Sequence, residues 1–186
     1  MSESNRQPLV SVVISSYNHA SYIERCIESV LAQTYPNIEL LVVDDGSSDD
    51  SVVRIQALQA RHAFDFVAQE NQGLARTLNA CIARSRGSLV APFGSDDIMR
   101  PERIAIQVAY MQDKPEVGIC AGEIQYIDAE GKPQCRRKRE LGFRRLDFED
   151  LFNDKKAGAP APTLLFRREA LEAVGGFDPE IRLEDL

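Results

Sequence analysis

The chain has 186 residues, of which 44% are hydrophobic and 27% charged, enough to bury roughly 70% of the unfolded surface in one compact core without staples. A net charge of −7 argues against a surface that tracks nucleic-acid phosphates, and two histidines supply poor material for a histidine-built zinc centre or a serine hydrolase triad. There is no apolar run of about 18 residues and no charged-then-apolar leader, and Cys26, Cys81, Cys120 and Cys135 form no C-x-x-C pair, so the composition predicts a reduced, cytoplasmic protein without a transmembrane segment.

Residues 1–8 are polar and predict a disordered tail. Residues 9–15 (Leu-Val-Ser-Val-Val-Ile-Ser) read as a strand buried on both faces. Ser21-Tyr22-Ile23-Glu24 has the form of a capping box, and Ile23, Cys26, Ile27, Val30 and Leu31 then recur at helical spacing. Pro36 and Asn37 end that helix, and residues 39–43 predict a second strand. Gly46-Ser47-Ser48-Asp49 then turns into a helix carrying Val52, Val53, Ile55 and Leu58. Residues 64–67 predict a short third strand. Gly73 opens a helix with Leu74, Leu78, Cys81 and Ile82 on one face, and Ser85-Arg86-Gly87 closes it. A fourth strand ends near Phe93, Pro101 sits in the first turn of a helix bearing Ile104, Val108 and Met111, and residues 117–120 predict a fifth strand. Strands alternating with helices of ten to twelve residues specify βαβ units and a mainly parallel sheet. After about Glu123 the pattern changes to a turn at residues 128–133, an extended connector at 157–162, and a short helix from Arg168 ending at Gly175-Gly176.

Two acidic runs carry the chemistry. Asp44-Asp45-Gly46-Ser47 follows the apolar run Leu40-Leu41-Val42-Val43, and Ser95-Asp96-Asp97 follows residues 89–93. Open α/β sheets bind ligands in the crevice at the C-terminal ends of their strands, so two such carboxylate-bearing ends predict one shared polar site. A helix cap and turn account for Ser47, Ser48 and Asp49 but leave the adjacent Asp44 and Asp45 unexplained.

These segments resemble the family 2 glycosyltransferases, the inverting group with the nucleotide-diphospho-sugar (GT-A) fold. The resembling residues are Val12-Val13-Ile14-Ser15-Ser16-Tyr17-Asn18, Val42-Val43-Asp44-Asp45-Gly46-Ser47-Ser48-Asp49, Asn71-Gln72-Gly73 with Leu78-Asn79, Ser95-Asp96-Asp97, Gly175-Gly176-Phe177-Asp178 and Glu184-Asp185. The resemblance implies an α/β fold with a Rossmann-like, mainly parallel sheet flanked by helices. Residues 9–123 would form the nucleotide-sugar-binding half, and 124–186 a smaller acceptor-side half that is incomplete.

The roles implied by the resemblance divide along the chain. On the donor side, Tyr17 stacks on the base, Ser15 bonds near it, and Asp44 or, preferentially, Asp45 accepts a hydrogen bond from base or ribose. Arg76 is a candidate for the diphosphate, although many relatives place an arginine where Leu78 stands. Asp97 is the metal ligand for Mn²⁺ or Mg²⁺, with Asp96 on the ribose or a metal-bound water. The common family pattern has a third aspartate where this chain has Gly94. On the acceptor side lie Asp178 and Glu184, with Asp185 as general base. Asn79 reads as structural.

The implied donor is a nucleotide-diphosphate sugar, most often a UDP-sugar, and the implied acceptor belongs to a cell-surface polysaccharide or lipid-linked glycan. No nucleic-acid partner is implied. Arg136, Arg137, Lys138, Arg139, Arg144 and Arg145 read as a solvated loop, or as a contact to an anionic lipid acceptor at the cytoplasmic membrane face. Because the sequence closes one residue after Asp185 and contains no tryptophan, the alternative expectation is a nucleotide-sugar-binding module without turnover. A receiver-like signalling domain is disfavoured, since the first strand leads into Ser16-Tyr17-Asn18 rather than an acidic pair. A P-loop kinase lacks its motif.

Overall fold

A computed structural model describes residues 7–134, 144–147, 149–150, 153 and 158–180. Its elements in chain order are β1 (Val10–Ser16), α1 (Ile23–Leu31), β2 (Ile38–Asp44), α2 (Ser51–Gln59), β3 (Asp65–Ala68), α3 (Leu74–Arg84), β4 (Leu89–Gly94), α4 (Arg103–Gln112), β5 (Ile119–Cys120), a 3-10 turn (Ala161–Thr163), β6 (Leu165–Arg167) and α5 (Arg168–Ala173). The predicted α/β alternation is therefore present through the first five strands.

The six strands lie in the order β3-β2-β1-β4-β6-β5. β1 pairs in parallel with β2 and β4, and β2 in parallel with β3, while β6 runs antiparallel to both β4 and β5. Mid-sheet position explains the unbroken apolar run of β1, because both faces need cover. Val10, Val12 and Ile14 point into one core layer with Ile23, Ile27, Ile55, Leu58, Ile104, Val108 and Met111, contributed by α1, α2 and α4. Val13 points the other way, to Leu78, Cys81 and Ile82 of α3 and Leu171 of α5. Helices thus cover both faces of one sheet. Cys26 and Cys81 are fully buried members of these two layers, as their helical spacing predicts.

Two local readings are corrected. The capping box at Ser21 and Glu24 does not form: α1 has no side-chain cap, and its first turn starts from the His19 carbonyl, which accepts the Tyr22 and Ile23 amides. Glu24 instead pairs with Arg54 on α2. Of the apolar residues assigned to α2, Ile55 and Leu58 are buried but Val53 is 65% exposed, since the helix turns only a narrow stripe inward.

The sequence reading also lacks β6. Its three residues enter the sheet between β4 and β5, and its last residue starts a pair of arginines that close two helices. Arg167 donates to the carbonyls of Met111, Lys114 and Val117 at the end of α4. Arg168 donates to Ile82 O, Gly87 O and Ser85 Oγ at the end of α3. Both guanidinium groups satisfy terminal carbonyls where the helix dipole favours a cation.

Candidate functional site

The chain leaves β1 towards β2 and β3 on one flank, then returns through α3 to place β4 on the other flank of β1. Such a reversal is where open α/β sheets bind their ligands, at the C-terminal ends of the strands. Ser15 of β1 lies in register with Val43 on one side and Gly94 on the other, so both acidic runs emerge beside the end of β1. Asp45 and Asp97 consequently follow strands that end at the same C-terminal edge of the sheet, one on each side of β1.

On the β2 side, Tyr17 is half exposed just past the end of β1 and Ser15 is partly buried at the strand end. The two aspartates are each held by hydrogen bonds within the protein. Asp44 is fully buried, and its two oxygens accept the Ser47 amide (2.8 Å) and the Ser47 hydroxyl (2.6 Å). It builds the turn. Asp45 is 2% exposed and anchors the segment before α3: Oδ1 accepts Gln69 Nε2 (2.8 Å) and the Gln72 amide (2.9 Å), and Oδ2 accepts the Gly73 amide (2.9 Å). Burial alone would raise the Asp45 carboxyl, but hydrogen bonds from Gln69, Gln72, Thr77 and Gly73 outweigh it and hold the group below its ordinary value. The three donors Gln69 Nε2, Gln72 N and Gly73 N fill most of the lone-pair sites of this carboxylate.

On the β4 side, Ser95 is buried, Asp96 exposed and Asp97 partly buried. The Asp97 amide donates to Gly94 O (3.3 Å), closing a tight turn. A side chain at Gly94 would place its Cβ 2.5 Å from Asp97 Oδ2 and 3.3 Å from Asp96 Oδ1. Glycine here leaves the space into which the two carboxylates now reach. Cys26 beneath the turn donates to Gly94 O, and burial, together with the charges of Asp97 and Asp96, pushes its thiol well above the usual value. It is an inert protonated thiol. Arg103 is lowered to about 10 by burial, opposed by the attraction of Asp97, and stays cationic at neutral pH.

Among the described residues, no group of three or more His, Cys, Asp or Glu is arranged around a metal position. Two neighbouring carboxylates on one turn nevertheless fit a hard divalent cation that takes its other ligands from phosphate oxygens and water.

The remaining site residues are spread more widely. Arg76 is exposed in the first turn of α3, just past the segment that Asp45 anchors. Asn79 on the same helix donates to Phe177 O (2.7 Å) and accepts the Phe177 amide (2.9 Å), a structural clasp. Asp178 is exposed, and its Oδ1 accepts the Glu180 amide (2.8 Å). Glu184 and Asp185 lie outside the described residues, as do Arg136, Arg137, Lys138 and Arg139, while Arg144 and Arg145 are exposed.

One residue at the site went unnoticed in the sequence. His19, in the loop after β1, shares a 2.6 Å hydrogen bond between its Nδ1 and Ser95 Oγ. The only signal was a histidine two residues after Tyr17, which has no meaning until β4 is seen beside β1.

The sequence profile described as "Glycosyl transferase family 2" matches residues 11–175, and the chain belongs to that family. It is 35% identical over 178 residues to an uncharacterized glycosyltransferase of Nostoc sp., covering 91% of this chain and 54% of that protein. It is 37% identical over 102 residues to the chondroitin synthase of Escherichia coli, covering 54% of this chain and 15% of that enzyme. The fold matches a mannosyltransferase from Pyrobaculum calidifontis in complex with GDP-Man and Mn²⁺ (TM-score 0.73, 23% identity, 98% of this chain and 51% of that one). It also matches S. aureus TarS in complex with UDP (TM-score 0.71, 21% identity, 94% and 52%). These neighbours define a GT-A glycosyltransferase architecture, and the chain spans about half the length of the Nostoc relative and of the two solved structures. No helix among the described residues is long and apolar enough to cross a membrane.

Proposed function

We propose that this chain forms the donor-binding part of an inverting, metal-dependent glycosyltransferase, which moves a sugar from a nucleotide-diphosphate donor, UDP-sugar in the first instance, to an acceptor hydroxyl in polysaccharide or lipid-linked glycan synthesis. The observation that carries the reading is the flanking of β1 by two carboxylate-bearing strand ends, in a chain whose family and fold neighbours include complexes with GDP-Man and with UDP.

Tyr17 offers its exposed ring to the base, and Ser15 a hydroxyl beside it. Asp44 and Asp45 act mainly by shape: Asp44 fixes the Ser47 turn, and Asp45 holds Gln72 and Gly73 as a wall of the nucleoside pocket. Asp97 and Asp96 hold the cation, and Mn²⁺ or Mg²⁺ bound there would neutralise the diphosphate leaving group. Arg76 lies within the same rim as a candidate phosphate contact. Asp185 takes the proton from the acceptor hydroxyl on the face of the sugar opposite the leaving group, which inverts the anomeric carbon, and Glu184 and Asp178 shape the acceptor side.

A thermal-shift panel of UDP, GDP, CDP and dTDP, each with Mn²⁺, Mg²⁺ or chelator, tests the donor half through binding linkage. UDP with Mn²⁺ should give the largest stabilisation, and Asp97→Asn should remove most of its metal-dependent part. An unchanged shift in that variant refutes the ligand assignment. Asp185→Ala should abolish transfer and leave the UDP shift intact.

A further inference from the structure

We infer that His19 is a positioning residue for the Ser95-Asp96-Asp97 turn, holding it in register with the nucleotide-side loop across the end of β1. This rests on the nucleotide-and-cation reading of the site.

The loop after β1 is clamped to the β2 side first. The Asn18 amide donates to Ser47 Oγ (2.8 Å), Asn18 Oδ1 accepts the Ser48 amide (2.8 Å), the His19 amide donates to Ser51 Oγ (3.1 Å), and the Ala20 amide donates to Asp49 Oδ2 (2.9 Å). Asn18 adopts φ +55°, a left-handed conformation that these bonds over-determine. From this fixed loop, the His19 ring reaches the opposite flank of β1 and meets Ser95 Oγ at 2.6 Å. Ser95 is 3% exposed, so its end of the bond is shielded from water, and Tyr22 packs edge-on against the imidazole at 6.0 Å and restricts its rotation.

A hydroxyl held in this way orients the peptide that leads directly into Asp96 and Asp97. Groups hydrogen-bonded to a metal's ligands typically change its affinity by about 10–100-fold when removed, and a bond to the residue beside the ligands belongs at the lower end of that range. The nucleotide-side contacts of Tyr17 and Ser15 do not pass through this bond, so metal-free nucleotide binding should be untouched.

Two measurements separate the possibilities. The first needs no ligand. His19 and His62 are the only histidines, and in a chain carrying ¹⁵N-histidine the exposed His62 serves as internal reference. Ser95→Ala should move the His19 ring-nitrogen resonances and leave those of His62 in place. Unmoved His19 resonances overturn the clasp whatever the site binds.

The second titrates Mn²⁺ in the presence of UDP and reads the stabilisation. His19→Ala and Ser95→Ala should each raise the half-maximal Mn²⁺ concentration about 10-fold. The double variant should be no worse than either single one, as two ends of one contact require. His19→Asn, whose amide can occupy the Nδ1 position, should recover most of the loss, and UDP binding in chelator should stay at the wild-type level throughout. Intact Mn²⁺ dependence in the single variants, or an equal loss with and without metal, overturns the positioning role alone. A wild-type chain with no Mn²⁺-dependent UDP shift overturns the site reading itself, and this role with it.

Discussion

Adjacent carboxylates in this chain have opposite tasks because of the strand alternation that carries them. Asp44 follows the face of Val42 into the layer beneath α1, where water cannot reach it, and its charge is met by the Ser47 amide and hydroxyl. Asp45 follows Val43 towards α3 and meets the amides before that helix. A buried carboxylate removed from its donors leaves them unsatisfied, so Asp44→Ala should lower unfolding stability by about 1–3 kcal/mol in urea titration. Asp96 is exposed, and Asp96→Asn should leave the urea midpoint within experimental scatter while weakening the Mn²⁺-dependent UDP shift. That contrast separates an aspartate that builds the turn from one proposed to face the ligand. The sequence shows two acidic pairs of equal appearance, and only the direction of each side chain tells them apart.

At the scale of elements, α3 connects the segment anchored by Asp45 to the glycine turn before Phe177. Its N-terminal approach is held by Asp45, and Asn79, further along the helix, holds Phe177, which also packs edge-on against Phe166 at 6.2 Å. The turn itself is a glycine cap with φ +81° at Gly175 and +84° at Gly176, and a Cβ on Gly176 would stand 2.6 Å from Asn79 Oδ1. Asn79→Ala should therefore cost about 1–2 kcal/mol and raise amide exchange at Phe177. Gly176→Ala should cost at least as much, because it adds backbone strain to the lost fit. Limited proteolysis that leaves residues 174–180 as protected in Asn79→Ala as in the wild type would show that the clasp does not hold the turn. The GG-F-D motif and Asn79 were each visible in the sequence, but their pairing was not, since 98 residues separate Asn79 from Phe177.

For the molecule as a whole, the opposite end of the sheet has its own charge anchor. Glu39 accepts from Ser11 Oγ (2.6 Å) and the Gly87 amide (3.0 Å), and is paired with Arg86. Burial raises the Glu39 carboxyl, yet the hydrogen bonds from Ser11, Arg86 and Gly87 outweigh it and leave the group below its ordinary value, as for Asp45 at the site end. Each group binds protons more weakly folded than unfolded. Their stabilisation is thus complete above the unfolded carboxylate range, roughly pH 4, and is lost as pH falls through the lower folded values. Melting temperature measured from pH 7 downwards should hold until about pH 5 and then drop, and Glu39→Gln should start lower at neutral pH and show a shallower acid limb. An acid limb of unchanged slope in that variant would remove Glu39 from the account.

What the sequence by itself determined is the alternating α/β order, the two-sided burial of β1 and the placing of both acidic runs at strand ends. Hydrophobic period and turn chemistry are local, and a contiguous segment carries them. Tertiary structure alone decided that β6, too short at three residues for any periodic signal, enters the sheet between β4 and β5. It also decided that Asp49 and His19, rather than a capping box, organise the loop after β1, and that Gly94 makes room for Asp97. Each of these depends on contacts between segments far apart in the chain, where the energy of a hydrogen bond or a close approach is set by the partner's position and cannot be read from either residue alone.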